Sequence, residues 1–402
     1  MVKIGIAGST GNVGKKTLEI IDDLQKMGLD YEISWLGCYG NIRELENQIK
    51  RYKPEAVSVI DEDKAEELER RIDTPVYRGE RGLLELVRGD YDGFVNTIIG
   101  SAGLKPTVEA IKNEKTVYLA NKESLVAAGP LVMDLARKYI PDESPPGVRI
   151  RPIDDEPAAI HRCMRGYSHE GIEKIIITCS GGALRELDRE EIKYATLEKV
   201  LKHPTFVMSP GITINSGTLM NKGHEVIQAA YLFDVPLEKI DVLLHPGSLI
   251  SSGVRTVDGV NLVEICPPDV KYHIHYTLTY PETVKINYEG KKTKGVDLRG
   301  LEDLKLAGPP DVERFPCFEY ALESCRIGGT MPAAVNAANE VAVDYFYKGK
   351  IKYVKDIEDA VRHILYTHSP IKNPTLGEIL ETDKKIKEET KKYLDEMNEY
   401  PK

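Results

Sequence analysis

The sequence predicts an α/β chain: a doubly wound sheet first, then a second α/β domain, then helices to the end. Three observations predict it. Short apolar runs alternate with stretches of helical period through about residue 140. The Pro/Gly-rich run Pro141–Gly147 interrupts that alternation and reads as a boundary. From Phe315 onward the apolar spacing is helical. The expected domains are therefore 1–147, 148–287 and 313–402, with the polar, Gly-, Pro- and Lys-rich residues 288–312 as a linker.

Residues 2–7 read as a buried strand entering Gly8-Ser9-Thr10-Gly11-Asn12-Val13-Gly14, with a helix from about Lys15 to Met27. Strand, glycine turn and helix are what a Rossmann-like sheet uses to bring backbone N–H groups to a dinucleotide pyrophosphate. The spacing is G-x-x-G-x-x-G rather than G-x-G-x-x-G, so a nucleotide-free turn stays open as the alternative. The second strand, Glu32–Cys38, runs into Tyr39-Gly40-Asn41-Ile42-Arg43 with no acid to grip a ribose 2′-hydroxyl. Asn41 and Arg43 suit a 2′-phosphate instead, which favours NADP. Strands at Ala56–Ile60, Val76–Tyr77, Gly93–Ile98 and Val117–Ala120 complete the sheet, the last leading into Asn121-Lys122-Glu123-Ser124.

Val148–Ile153 alternates like a strand and leads to Asp154-Asp155-Glu156-Pro157, then a helix over Ala158–Met164. At a strand end, residues i and i+2 point the same way, so Asp154 and Glu156 should converge. Pro157 suits the first helical position. Helix capping explains these acids, and so does a Mg²⁺ or Mn²⁺ site built from hard oxygen ligands. Ile175–Thr178 closes on Cys179-Ser180-Gly181-Gly182, a turn for a phosphate or simply a turn.

From His203 to Glu225 the chain changes character. Pro204, Pro210 and Gly211 suggest a loop able to move; beyond it Leu219, Val226, Ile227, Ala230 and Tyr231 recur at helix spacing. Asn215 or Ser216 is placed to cap that helix. Asn221, Lys222 and Glu225 then share one face, either a solvated surface ion pair or a polar site. After Val242–Leu244 and His245-Pro246-Gly247-Ser248, strands are expected to about Ile286, with His273 and His275 on a strand surface. Helices are expected at Met331–Tyr347 and Ile357–Tyr366, with Asp383–Glu399 a surface helix.

The totals exclude several classes. A net charge of −10 without a basic stripe argues against nucleic acid. Six cysteines without a C-x-x-C pair fit a reducing compartment. The chain opens directly on a strand, and no apolar run approaches the ~20 residues of a bilayer span. A cytoplasmic protein without a leader segment is expected.

Several motifs together resemble the 1-deoxy-D-xylulose 5-phosphate reductoisomerase family. They are GSTGNVG at 8–14, NTIIGSAGLKPTVEAI at 96–111, LANKESLVAAG at 119–129, SGG at 180–182, HPT at 203–205, TLMNKGHEVI at 218–227, HPGS at 245–248 and PAAVNAANEVAV at 332–343. The resemblance spans roughly residues 3 to 360. It implies an NADPH domain, an α/β catalytic domain with a mobile lid, a linker, a helical C-terminal domain and a homodimer. Residue by residue, it implies Asp154, Glu156 and Glu225 as divalent-metal ligands. Ser180, Ser216, Asn221 and Lys222 become contacts to substrate phosphate and hydroxyls, and His203 the lid histidine. Gly8, Ser9, Thr10, Gly11, Val13 and Asn121 fall on cofactor positions, as Asn41 does in the direct reading, with Lys122 and Glu123 on the segment near the nicotinamide. The implied reaction is a retro-aldol/aldol rearrangement of a ketose phosphate followed by hydride reduction.

The chain departs from the family pattern around the sugar and not at the metal ligands. Asp155 and Pro157 stand where Ser and His are usual, Phe206 where the lid has Trp, and Asn215 where an Asp precedes the phosphate-site serine. Ser209-Pro210-Gly211, Gly247, Ser251 and Tyr39-Gly40 are further departures. Asp155 adds an acceptor, so a more hydroxylated pentulose 5-phosphate, giving a hydroxymethyl-branched product, is the alternative substrate.

Overall fold

In the computed structural model the described residues are 1–139, 150–202, 208–285, 287–288, 291–292, 295–301 and 304–399. Pro141–Gly147, His203 and Phe206 lie outside them. The chain divides into two compact units, the first formed by Met1–Asn121, Val132–His161 and Asp269–Asp297, the second by Lys122–Leu131, Arg162–Pro268 and Leu298–Lys402. The two units do not follow the sequential domain borders read from the sequence.

The first unit is a parallel α/β layer. Strands β1 (Val2–Ala7), β2 (Tyr31–Cys38), β3 (Ala56–Val59), β4 (Val76–Arg78), β5 (Gly93–Asn96), β6 (Thr116–Leu119) and β7 (Ile150–Pro152) alternate with helices. These are α1 (Asn12–Lys26), α2 (Ile42–Tyr52), α3 (Glu62–Glu69), α4 (Gly79–Val87), α5 (Leu104–Lys112), α6 (Glu123–Tyr139) and α7 (Asp155–Met164). The strand order β4-β3-β2-β1-β5-β6-β7 reverses direction between β1 and β5. In open parallel sheets, ligands bind at that switch, beyond the carboxyl ends of the strands. Apart from the edge strand β4, the strands are mostly buried and read as near-continuous apolar runs, which made them visible in the sequence. Gly5 is required by packing: a Cβ there would fall 2.1 Å from Nε1 of Trp35, the chain's one tryptophan. Trp35 is buried and stacks on Phe94, ring centroids 5.9 Å apart.

Helix α6 is broken within its length. Ala128 leaves the helical region (φ −143°, ψ 27°) and Pro130 follows, removing a backbone donor. The part up to Leu131 belongs to the second unit and the rest to the first.

The second unit is built on the mixed sheet β11-β10-β8-β9, with β8 (Ile172–Cys179), β9 (Ile240–Leu244), β10 (Ile250–Thr256) and β11 (Asn261–Ile265). Helices α8 (Arg189–Lys193), α9 (Leu197–Val200), α10 (Pro210–Gly217) and α11 (Met220–Leu232) follow β8. Its last part is helical: α13 (Pro316–Ile327), α14 (Met331–Tyr347), α15 (Val354–Thr367) and α16 (Leu376–Glu399). Ala334, Ala337 and Ala338 of α14 pack with Ile364 and Ile386 in a buried cluster. Small residues there let the neighbouring helices approach closely, and each fully buried Ile contributes roughly 1.5–3 kcal/mol.

Three sequence expectations fail. Strands do not continue to Ile286: α12 (Lys271–Thr279) carries His273 and His275, both buried, inside the first unit. Residues 273–279 are all buried, so the helix has no polar stripe, and its β-branched and aromatic residues mimic a strand. Among the described residues a short hairpin, β12 (Asn287–Tyr288) with β13 (Lys291–Lys292), follows it. Asn215 and Ser216 do not cap α11, because Pro210, at a first-turn position, starts α10 earlier and both residues lie inside it. The cap position of α11 is Leu219, in the left-handed region (φ 58°). Finally, α7 begins at Asp155, so Pro157 is its third residue and not its first.

Candidate active site

In the first unit, the turn after β1 is shaped to receive an anion. Gly8 takes φ 84°, and a Cβ on Gly14 would lie 2.4 Å from the Gly8 carbonyl oxygen. Helix α1 therefore starts hard against the end of β1, and only glycine permits it. The helix has no side-chain cap and no acid in its first turn, so its orphan N–H groups are available to a phosphate. The Ser9 hydroxyl is turned inward: it donates to Gln48 Oε1 at 2.7 Å, while Gln48 Nε2 donates back to the Ser9 carbonyl at 2.9 Å. That leaves Thr10, Gly11 and Val13, which are not buried, as the open side of the turn.

Asn41 caps α2, its Oδ1 accepting from the Glu44 N–H at 3.3 Å. Arg43 is exposed on the first turn of the same helix. At the end of β6, Asn121 donates through Nδ2 to the carbonyls of Ile98 and Gly100, both at 2.8 Å. It fixes the loop after β5, the other side of the switch point.

At the end of β7, Asp154 precedes α7, and Asp155 and Glu156 occupy its first turn. Carboxylate oxygens of Asp154 and Glu156 lie within 4.8 Å of one another. Asp155 points elsewhere: its Oδ1 is 3.0 Å from Nδ1 of buried His273. The misread helix α12 thus reaches the acidic segment and is tied to it a second time, Thr277 donating to the Pro152 carbonyl at 2.7 Å. The carboxylate that motivated the more hydroxylated substrate thus stands beside a buried histidine of its own unit.

In the second unit, α11 holds a buried charged cluster. Glu225 is 3% exposed and Lys222 4%, so the surface ion pair read from the spacing is excluded. Lys222 Nζ donates to the Thr178 carbonyl at 2.7 Å and pairs with Glu225 Oε2. Lys122 Nζ sits 2.8 Å from Glu225 Oε1 and 3.2 Å from Asn221 Oδ1, and Asn221 donates to the same carboxylate. Burial pushes the Glu225 carboxyl up, but the ammonium groups of Lys122 and Lys222 outweigh it and hold the group well below the usual carboxylate range. Glu225 is an anion at neutral pH.

Beside the end of β8, Ser180-Gly181-Gly182 turns through two left-handed glycines (φ 81° and 68°). The Ser180 hydroxyl accepts from the Gly182 N–H at 3.2 Å, and a Cβ on Gly182 would fall 2.4 Å from the Ser216 carbonyl oxygen. The turn thus lies directly against α10 at Ser216. The unit gathers Lys122, Asn221, Lys222 and Glu225 in one cluster and Ser180 and Ser216 at one turn. Glu123 opens α6 next to Lys122. The predicted role of His203 lies outside the described residues.

Family profiles described as 1-deoxy-D-xylulose 5-phosphate reductoisomerase match residues 4–129, and the profile for its C-terminal domain matches 150–233. A third, the DXP reductoisomerase C-terminal domain, matches 265–389. A 1-deoxy-D-xylulose 5-phosphate reductoisomerase of Caldanaerobacter subterraneus subsp. tengcongensis is 41% identical over 397 residues, 98% of this chain and 100% of its own. The chain belongs to the 1-deoxy-D-xylulose 5-phosphate reductoisomerase family. The Bacillus subtilis reductoisomerase is 39% identical over 388 residues, 96% of this chain and 97% of its own. Among solved structures, the Zymomonas mobilis reductoisomerase in complex with NADPH superposes with TM-score 0.86 at 33% identity, covering 98% of this chain and 99% of that one. A DOX-P reductoisomerase in complex with NADPH, fosmidomycin and magnesium gives TM-score 0.88 at 31% identity, with full coverage of both chains.

Within this reductoisomerase fold, sequence reasoning missed four polar residues. His273 was set aside with the strand. His224 and Gln228, one turn apart on α11, are buried at 2% and 0%, and His224 Nε2 and both Gln228 amide atoms have no partner among the described residues. Their i, i+4 spacing was the available signal. Asn339 of α14 reaches Asn215 of α10, a contact no spacing along the chain announces.

Proposed function

We propose that this chain is an NADPH- and divalent-metal-dependent reductoisomerase that converts 1-deoxy-D-xylulose 5-phosphate to 2-C-methyl-D-erythritol 4-phosphate. The observation that carries the reading is the buried Lys122–Asn221–Lys222–Glu225 cluster, which keeps a carboxylate ionised in a family whose relatives bear that name. Solved relatives in complex with NADPH and with magnesium support the cofactors.

The residues present fit both. Asp154, Glu156 and Glu225 offer hard carboxylate oxygens of the kind Mg²⁺ or Mn²⁺ takes, the first two already within 4.8 Å of each other. When bound, the ion supplies Lewis acidity towards the ketose oxygens. Thr10, Gly11 and Val13 at the start of α1 would hold the pyrophosphate of NADPH and Lys122 and Glu123 would serve its nicotinamide end; when bound, the cofactor would supply the hydride. Asn41 and Arg43 favour the 2′-phosphate.

The chain's own groups do the rest. Ser180, Ser216, Asn221 and Lys222 hold the substrate phosphate and hydroxyls, keeping the phosphate-bearing fragment in place between cleavage of the C3–C4 bond and rejoining. Lys222 is aimed by the Thr178 carbonyl and Glu225, so its ammonium enters the site without reorganising. Lys122, shared between Asn221 and Glu225, orients the carboxylate from the other side. The enzyme works as a homodimer in the cytoplasm.

Product analysis tests the reading. With NADPH, Mg²⁺ and 1-deoxy-D-xylulose 5-phosphate labelled with ¹³C at C3 and C4, the product's NMR spectrum should show that the C3–C4 bond has been broken and a branched tetritol phosphate formed. A linear pentitol phosphate, with that bond intact, would make the chain a plain dehydrogenase. D-xylulose 5-phosphate in parallel should be turned over more slowly.

A further inference from the structure

The motif PAAVNAANEVAV fills positions two to thirteen of α14, a helix whose polar residues have no place in the chemistry above. Asn336 and Asn339 are each 1% exposed in an alanine-rich setting, where an amide costs free energy unless it is bonded. Asn336 donates to Glu340 Oε1 at 2.8 Å on its own helix. Asn339 instead reaches across, its Nδ2 donating to Asn215 Oδ1 at 3.0 Å. Its own Oδ1 is left without a partner among the described residues. The opposite amide orientation would orphan a donor there, which is worse tolerated than an orphan carbonyl.

The contact sets a register between two helices. One turn before Asn215, a Cβ on Gly211 would lie 4.0 Å from Cγ1 of Val343, itself one turn beyond Asn339. So α10 runs along α14 with 211 facing 343 and 215 facing 339. Helix α14 is fixed by the helices packed around it; α10 has only eight residues and no side-chain cap. The next residue after Asn215 is Ser216, whose carbonyl lies against the Gly182 turn.

We propose that Asn339 is a positioning residue for substrate phosphate, holding the Ser216 hydroxyl in place through Asn215. An Asp at 215 accepts the same N–H, so the asparagine found here keeps the clasp while removing a negative charge from beside the phosphate. The proposal rests on reading Ser216 as a phosphate contact, and the experiment separates the two.

The full-length enzyme with NADPH and Mg²⁺ is assayed for KM and kcat on 1-deoxy-D-xylulose 5-phosphate, with Tm measured alongside. Asn339→Leu should raise KM roughly ten-fold with kcat changed less than about three-fold, the effect of one hydrogen bond to an ionised group. Asn215→Ala, which cuts the same bond from its half-buried end, should reproduce the rise even if Asn339→Leu does not fold. Asn215→Asp keeps the acceptor for Asn339 but returns a negative charge beside the phosphate, so it should raise KM less than Asn215→Ala does. Because Asn339 acts through Ser216, the double variant Ser216→Ala/Asn339→Leu should bind no worse than Ser216→Ala alone. If Ser216→Ala raises KM and Asn339→Leu and Asn215→Ala do not, or if the double variant is additive, the clasp has no such role. If Ser216→Ala leaves KM unchanged, the phosphate reading of Ser216 fails and the proposal falls with it.

Discussion

Replacing His224 by Leu should make the protein less sensitive to mild acid. His224 is 2% exposed, and its Nε2 has no partner among the described residues. Burial, reinforced by the positive charge of Lys122 and opposed by Glu225, pulls the imidazole down to about 3. In the unfolded chain a histidine takes its proton near ~6.5. Between those limits the unfolded state binds one proton more, so stability falls as pH falls from about 6.5 towards 3. At pH 5 the loss relative to pH 8 is about 2 kcal/mol, one and a half pH intervals at roughly 1.4 kcal/mol each. That figure is the same whether the folded imidazole titrates at 3 or at 4. Leu is of similar bulk and carries no proton, so His224→Leu should lack this loss while other groups cancel in the comparison. Urea unfolding followed at α11 by hydrogen exchange, at pH 8 and pH 5, gives the difference directly. Carbon-13 labelling of the histidine rings gives an independent reading, with the His224 resonance staying neutral at pH 5. A parent and variant that lose equal stability, or a ring that protonates near pH 6, would refute the reasoning.

Two further outcomes are expected. Glu225→Gln leaves Lys122 and Lys222 buried without their anion and should destabilise the second unit by about 3–5 kcal/mol, the usual cost of breaking a buried pair. Thermal unfolding should show the fall and Lys122→Met in the same background should recover part of it, while Mn²⁺ binding followed by electron paramagnetic resonance weakens; an unchanged Tm contradicts the cluster. Gly14→Ala puts a methyl 2.4 Å from a backbone oxygen that cannot swing aside, so α1 must shift away from β1. Fluorescence titration should show NADPH binding weakened by roughly ten-fold or more if the first-turn N–H groups carry the pyrophosphate; unchanged affinity removes the turn from the cofactor site.

The parallel sheet was legible because buried strands read as unbroken apolar runs and the helices between them keep a clean amphipathic period. The glycine turn was legible because close approach leaves glycine no substitute. Spacing placed Asn221, Lys222 and Glu225 on one face but could not say whether that face met water. Its burial depends on Thr178 and Lys122, 44 and 103 residues from their partners in the chain. Helix α12 was misread for the complementary reason, since a helix buried on nearly every side loses the periodicity that identifies it. The Asn215–Asn339 bond, spanning 124 residues, leaves no local trace at all.

The chain's repeated crossing between its two units bears on how the molecule comes off the ribosome. When β6 has been synthesised, the sheet still lacks β7, and the helix strapped to β7 by Thr277 is more than a hundred residues away. Until α12 arrives the nascent sheet lacks the buried helix that Thr277 ties to β7, and the apolar surface that helix covers is open to other chains. Neither unit can close early, so chaperone demand during synthesis should peak before α12 emerges.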